Sequence, residues 1–188
     1  IASVEARKAR WEFSFFLKNE GRLDEAVALR ERSLAIEEEA YGTMADDTVE
    51  HAGRLYEFYN AASRFAEAEA LARRFASAHR ASIGFDEFDT QLWQFRAAIA
   101  LQSRGDAPGA LRELEAMIAE AGGKPMKYPI DAQILRLYEQ LGRFEDAERM
   151  LLARSAAVEA DPNATSLESE WGTLAEFYGY RNRLADAE

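Results

Sequence analysis

The sequence contains no cysteine and only two histidines among its 188 residues. The absence of cysteine excludes a disulfide framework and a thiolate metal site, although it leaves the redox compartment open. The longest run without a charged residue, Ala97 to Ser103, is far shorter than the ~20 apolar residues that cross a bilayer, so no transmembrane helix is predicted. No stretch shows the alternation of a half-buried strand. These absences favour an all-α chain.

The charge of the chain is strongly one-sided. It carries 34 acidic and 23 basic residues, which gives a net charge of −11. An acidic surface repels the phosphates of nucleic acids and the headgroups of anionic lipids. We therefore expect neither nucleic acid nor a membrane as a partner, and we take the cytoplasm as the expected location.

A short motif returns about every forty residues along the chain. Gly21-Arg22-Leu23-Asp24-Glu25-Ala26 is followed by related segments at 63–68 and 142–147, a degenerate copy at 105–110 and an echo at 182–187. A period of this length is typical of a helical solenoid, in which each unit buries its apolar face on its neighbours. We predict one array over residues 1–188, with units at about 7–42, 49–84, 91–121, 128–160 and a partial unit at 168–188.

Each unit has the pattern of a helical hairpin. The first helix shows an apolar face at helical spacing, as in Phe13, Phe16 and Leu17. A small turn with Gly, Ser or Asn follows, and then a second helix whose alanine allows close helix packing; these alanines are Ala26, Ala68, Ala110, Ala147 and Ala187. In the connectors 41–48 and 83–90, Asp or Thr is expected to cap the next first helix.

These features together resemble the tetratricopeptide repeat. The family's order of large, small and aromatic positions is matched by three sets of residues: Leu55, Tyr56, Tyr59, Phe65 and Ala68; Ile134, Leu135, Tyr138, Phe144 and Ala147; and Trp171, Leu174, Ala175, Tyr178, Leu184 and Ala187. The spacing of 42 residues between the first units is similar to the kinesin-light-chain subtype. The resemblance implies a right-handed superhelix of antiparallel helix pairs that acts as a protein-interaction module.

The sequence contains few residues in patterns typical of a catalytic or metal-binding site. His51 and His79 could come together near Asp46 or Asp47 and bind a metal, but we interpret them as solvated histidines beside a connector. The acidic run 37–39 points in several directions around a helix and is interpreted as a solvated face. We therefore predict no catalytic site, no metal and no cofactor.

The resemblance places a binding groove on the first helices. The groove positions carried across to this chain are Lys8, Glu12, Phe15 and Asn19 in the first unit, Arg54, Glu57 and Asn60 in the second, Phe95, Arg96 and Ile99 in the third, and Gln133, Arg136 and Glu139 in the fourth. Three guanidinium groups, from Arg54, Arg96 and Arg136, are then expected to line one groove and to meet carboxylates. The alternative is that these arginines pair with Glu57, Glu12 or Glu139 and bind nothing.

The function expected from this pattern is the binding of a peptide or protein partner, and the groove arginines favour a partner with acidic groups. Because the chain begins at Ile1 and ends at Glu188 within a repeat, we also consider a fragment of a longer protein. In that case it would be the regulatory part of a larger enzyme or signalling protein, such as a kinase or a caspase-like protease. A further alternative is self-association through an uncovered apolar face around Trp171, Leu174 and Tyr178.

Overall fold

A computed structural model of the chain describes residues 4–160 and 167–179. Over these residues the chain forms α-helices and no strand. The helices are α1 (Val4–Asn19), α2 (Leu23–Tyr41), α3 (Asp46–Ala61), α4 (Phe65–Ile83), α5 (Phe88–Ser103), α6 (Ala107–Ala121), α7 (Asp131–Gln140), α8 (Phe144–Ala160) and α9 (Leu167–Gly179). The all-α prediction is confirmed. The chain divides into two compact units, each larger than a repeat, Ile1–Ile130 and Asp131–Glu188. From here on, the first unit and the second unit are these two parts of the chain.

The first unit is a row of helical hairpins in which each helix packs on the next one along the chain, from α1 to α6. The turns inside the hairpins are left-handed, as predicted: φ is 74° at Gly21 and 56° at Ser63. After each of these turns a backbone N–H reaches back to the first helix, from Arg22 to Leu17 O and from Arg64 to Tyr59 O, both at 2.8 Å. These hydrogen bonds satisfy carbonyls that the helix end would otherwise leave unpaired.

The repeated alanines mark the closest helix contacts, as predicted. Ala26, Ala68, Ala110 and Ala147 are all buried, whereas Ala187 lies outside the described residues. Because these methyl groups are buried between packed helices, a larger side chain would not fit at the same positions. The period read from the sequence therefore corresponds to the packing period of the structure.

The apolar face expected on α1 is only partly buried. Phe13 and Phe16 are 51% and 52% exposed, whereas Leu55 and Phe58, at the equivalent places 42 residues later, are 2% and 1% exposed. The difference follows from the neighbours: α3 packs between α2 and α4, whereas α1 packs on α2. Of the three residues that define the apolar face of α1 in the sequence, only Leu17 is therefore buried.

The expected caps on the first helices are also wrong. The residues that precede α3 and α5 are Ala45 and Glu87, and neither caps its helix through a side chain. Both helices begin before the predicted Asp and Thr caps, which lie inside the first turn, where a carboxylate favours the helix dipole. The hydroxyl of Thr90 instead donates to the carbonyl of Gly84 at 2.7 Å and ties the connector to the helix.

In the second unit, α7 packs on α8 and α8 on α9. Leu174 and Tyr178 of α9 are buried against Ala147 and Leu151 of α8, and the Tyr178 hydroxyl donates to Glu148 at 2.7 Å. The uncovered face predicted around Leu174 and Tyr178 is therefore not present, because α8 covers it; the Trp171 side chain lies outside the described residues. None of the described helices has the length and apolar character needed to cross a membrane.

Candidate functional site

The predicted groove residues all lie on solvent-accessible parts of first helices. Each of them is exposed or half-buried. In the first unit, Glu12, Arg54 and Arg96 occupy the same register position of α1, α3 and α5, at intervals of 42 residues. Gln133, Arg136 and Glu139 lie on α7 in the second unit. The surface formed by α1, α3 and α5 on this side of the first unit is called the groove face below.

A pocket of about 330 Å³ lies between α3 and α5 on the groove face. It brings together three of the predicted residues, Arg54, Glu57 and Arg96. The other lining residues were not predicted: Val49, Glu50, Gly53, Asp89, Leu92 and Trp93. Glu50 and Leu92 precede the two arginines by about one helical turn, so the helical period could have found them once the arginines were placed.

Arg96 is held by aromatic rings rather than by carboxylates. Its Cζ atom lies 4.4 Å from the ring centre of Trp93 and 5.4 Å from that of Tyr56. Burial lowers the pKa of Arg96, but arginine is not deprotonated in proteins, so the group stays charged. Among the described residues the guanidinium has no hydrogen-bond or ion-pair partner. Its N–H groups are therefore available to a ligand.

Gly53 explains why the pocket exists. Trp11 and Phe95 occupy the equivalent positions of the neighbouring first helices, so Gly53 leaves a gap in an aromatic row. A Cβ atom at Gly53 would lie 3.4 Å from Nη1 and 3.5 Å from Nη2 of Arg96. A methyl group would just fit there, whereas a larger side chain would meet the guanidinium. The terminal nitrogens of Arg96 thus lie over the backbone of α3, inside the pocket.

Arg54 is paired only weakly. Its Nη1 lies 3.4 Å from Glu57 on the same helix, and its Cζ is 5.5 Å from the ring centre of Trp11. Both charged side chains are about half exposed, and such pairs contribute ~0–1 kcal/mol. The alternative that the groove arginines are neutralised by acids therefore describes Arg54 in part and does not describe Arg96. Arg136 donates to Gln133 at 3.5 Å on its own helix.

The remaining predicted residues differ in how much of each side chain is exposed. Phe15 packs against Phe58 with ring centres 5.6 Å apart, and Tyr128 covers Phe95 with ring centres 4.9 Å apart. The side-chain amide of Asn60 donates to the carbonyl of Tyr56 on the same helix at 2.8 Å. Three other predicted residues are exposed, namely Lys8, Glu12 and Asn19, and Ile99 is half-buried. Lys8 Nζ lies 3.8 Å from Glu12 Oε1.

Sequence reasoning missed a buried cation beside the groove face. Arg30 of α2 is 3% exposed, and its Cζ atom lies 4.0 Å from the ring centre of Trp11, 5.0 Å from Phe58 and 5.3 Å from Phe15. Within the described part of the chain, its Nε and Nη2 atoms have no hydrogen-bond partner. Burial, together with the charge of Arg54, lowers the pKa of Arg30 to about 10. The signal in the sequence is that the equivalent positions hold Ala72 and Leu114.

The interpretation of the histidines as solvated is wrong, and in the acidic run it is wrong for Glu37, although Glu39 is exposed. His79 is buried and donates its Nδ1–H to the carbonyl of Phe75 at 2.8 Å. His51 pairs through Nδ1 with the carboxylate of Glu37, which is fully buried. Glu37 and His51 lie where α2 packs on α3, and His79 lies where α4 packs on α5. A neighbouring helix therefore covers each of these side chains. In the described part of the chain, no group of three or more His, Asp and Glu could hold a metal ion.

The fold matches known tetratricopeptide-like repeat structures. A crystal structure of the nearly identical TPR-like repeats of a protein described as a kinesin light chain from Podosopora anserina aligns with a TM-score of 0.67 and 20% identity. The alignment covers 96% of this chain and 89% of that one. A single-substitution variant of the same protein aligns with a TM-score of 0.68 and 19% identity, covering 96% and 88%.

The chain is therefore an all-α repeat protein with the tetratricopeptide-like fold, as the sequence predicted. No protein-family profile and no curated protein sequence matches it.

Proposed function

We propose that this chain is a protein-interaction module that binds a peptide segment of a partner on the groove face, and that its role is binding and not catalysis. The observation that carries the proposal is the pocket between α3 and α5, in which the charged Arg96 guanidinium has no hydrogen-bond or ion-pair partner among the described residues. The repeat fold supports it, because stacked helical hairpins present extended surfaces suited to other macromolecules.

The chemistry of the pocket suits a segment with both polar and apolar groups. Arg54 and Arg96 offer guanidinium groups, which form paired hydrogen bonds with carboxylates. Val49, Leu92 and Trp93 supply apolar surface beside them. Aromatic and arginine side chains in partly desolvated pockets often carry most of the energy of an interface. On the second unit, considered by itself, we propose that Arg136 offers an exposed guanidinium of the same kind.

The test compares two double variants. Peptides are selected from a random displayed library on the wild-type protein, and the strongest binder is titrated at low and at moderate salt. Arg54→Gln with Arg96→Gln should weaken binding by at least about tenfold, the equivalent of ~1.4 kcal/mol, and should flatten the salt dependence.

The matched control is Arg32→Gln with Arg112→Gln. Both residues are exposed, lie on second helices and form no ion pair among the described residues. This control should change the affinity by less than about twofold, since rim and surface charges contribute little. Equal losses in the two double variants would contradict binding at the groove face.

A further inference from the structure

The pocket at Arg96 adjoins a second pocket of about 480 Å³. The two share Val49, Glu50 and Asp89 in their linings, so they lie side by side along the first half of α3 and α5 and are together called the channel. The second pocket is also lined by Asp46 and by the buried His79. We call Asp46, Glu50 and Asp89 the acidic end of the channel, and Arg54 and Arg96 its basic end.

The carboxylates of the acidic end have no ion-pair partner in the described chain. This contrasts with the second helices, where acids pair with arginines of another hairpin, as Glu38 does with Arg74 at 2.7 Å and Glu113 with Arg73 at 2.8 Å. A first-turn position lets Asp46 and Asp89 favour the helix dipole, but Glu50 lies beyond the first turn. Glu50 precedes Arg54 by four residues, a spacing that contributes at most ~0.5 kcal/mol to a helix, and among the described residues Arg54 pairs with Glu57 instead.

The two ends are separated by a distance that a short peptide covers. On α5, Asp89 precedes Arg96 by about two helical turns, which corresponds to ~10 Å along the helix. On α3, Glu50 precedes Arg54 by about one turn, or ~6 Å. A peptide in the polyproline II conformation advances ~3.1 Å per residue with three residues per turn, so side chains three residues apart lie on one face ~9 Å apart and would reach both ends.

We propose that the bound segment carries a cationic side chain and, about three residues away, an anionic one. The cation lies at the acidic end against Asp46, Glu50 and Asp89, and the anion meets the N–H groups of Arg96. This inference rests on the proposed function and specifies the charge pattern of its ligand. A segment with only acidic groups would bring a carboxylate to three unpaired carboxylates, which disfavours it through like-charge repulsion.

The probes are fluorescein-labelled peptides that share one apolar background and differ only at two positions about three residues apart. These positions hold Lys and Glu, Glu and Glu, or Lys and Lys, and the mixed peptide is made in both orders because an extended segment can run either way. Titration by fluorescence anisotropy should show a mixed peptide binding the wild-type protein at least about fivefold more tightly than either uniform peptide.

Two variants test which end contacts which charge. Glu50→Gln should reduce the preference for the mixed peptide over the Glu-Glu peptide, and Arg96→Gln should reduce its preference over the Lys-Lys peptide. Glu50→Gln changes no first-turn residue, so helix α3 should keep its helicity by circular dichroism. Glu39→Gln, at an exposed position of α2, is the control and should leave both preferences unchanged.

The outcomes separate this inference from the proposed function. Tightest binding of the Glu-Glu peptide, with loss on Arg96→Gln, would overturn the paired-charge inference while supporting peptide binding on the groove face. Equal binding of all the peptides would likewise overturn the paired-charge inference. Failure of every peptide to bind would overturn both.

Discussion

Replacement of Arg30 by methionine should leave the protein as stable as the wild type or make it more stable. Arg30 is nearly fully buried, and no residue of the ranges 4–160 and 167–179 forms a hydrogen bond with its Nε or Nη2. Methionine has a similar length without a charge and makes favourable contacts with aromatic rings. The equivalent position in the third hairpin holds the buried Leu114, so an apolar side chain suits this place in the repeat.

The magnitude follows from two opposing effects. Burial, and after it the charge of Arg54, lowers the pKa of Arg30 from its ordinary value to about 10. At ~1.4 kcal/mol per unit, this corresponds to a cost of roughly 3 kcal/mol for keeping the charge in the folded state. Cation–π contacts with Trp11, Phe15 and Phe58 offset about 2 kcal/mol of that cost. Arg30→Met should therefore change the free energy of unfolding by about 0 to +2 kcal/mol.

The measurement is denaturant unfolding followed by circular dichroism at neutral pH. Arg32→Met, at an exposed position of the same helix, is the control and should change the stability by less than about 0.5 kcal/mol. A loss of more than about 2 kcal/mol in Arg30→Met would refute the reasoning, because it would mean that the aromatic contacts outweigh the burial of an unpaired charge.

Three further predictions concern packing, charge and the pocket. Ala68→Leu should cost roughly 1–3 kcal/mol of stability because it overpacks the hairpin, whereas Ala66→Leu, at an exposed position, should be tolerated in the same thermal melts. Burial opposes ionisation of Glu69, but hydrogen bonds from two arginines outweigh it and lower its pKa. Glu69→Gln should therefore destabilise the protein at neutral pH, and the deficit relative to wild type, measured by denaturant unfolding, should disappear as the pH falls through that lowered pKa. Gly53→Leu should fill the pocket and abolish peptide binding while the circular dichroism spectrum stays helical; retained affinity would contradict a pocket at this position.

The fold could be predicted because it is periodic. A glycine or serine turn followed by an alanine returns with each hairpin, and the structure uses each of these residues for the same purpose. Periodicity also placed Arg54 and Arg96 on equivalent faces, and both line one pocket. These features depend on local backbone conformation and on helix spacing, which the sequence contains directly.

The features that were missed depend on neighbours across helices. The exposure of Phe13 and Phe16 reflects which helices pack on α1, and a hydrophobic pattern cannot show that. The burial of Glu37 depends on His51 of the next helix, and an acidic run alone is more often solvated. Gly53 appears in the sequence as an ordinary helical glycine, and its importance lies in the Arg96 side chain opposite it.

The most direct test of the central claim observes the arginine side chains themselves. The Nε–Hε resonances of Arg54 and Arg96 are recorded by NMR during titration with the peptide selected on the wild-type protein, and those of Arg32 and Arg112 on second helices serve as the reference. We predict that the Arg54 and Arg96 resonances shift with the peptide concentration and that the reference resonances do not. Shifts confined to Arg32 and Arg112, with Arg54 and Arg96 unchanged at saturation, would contradict binding on the groove face.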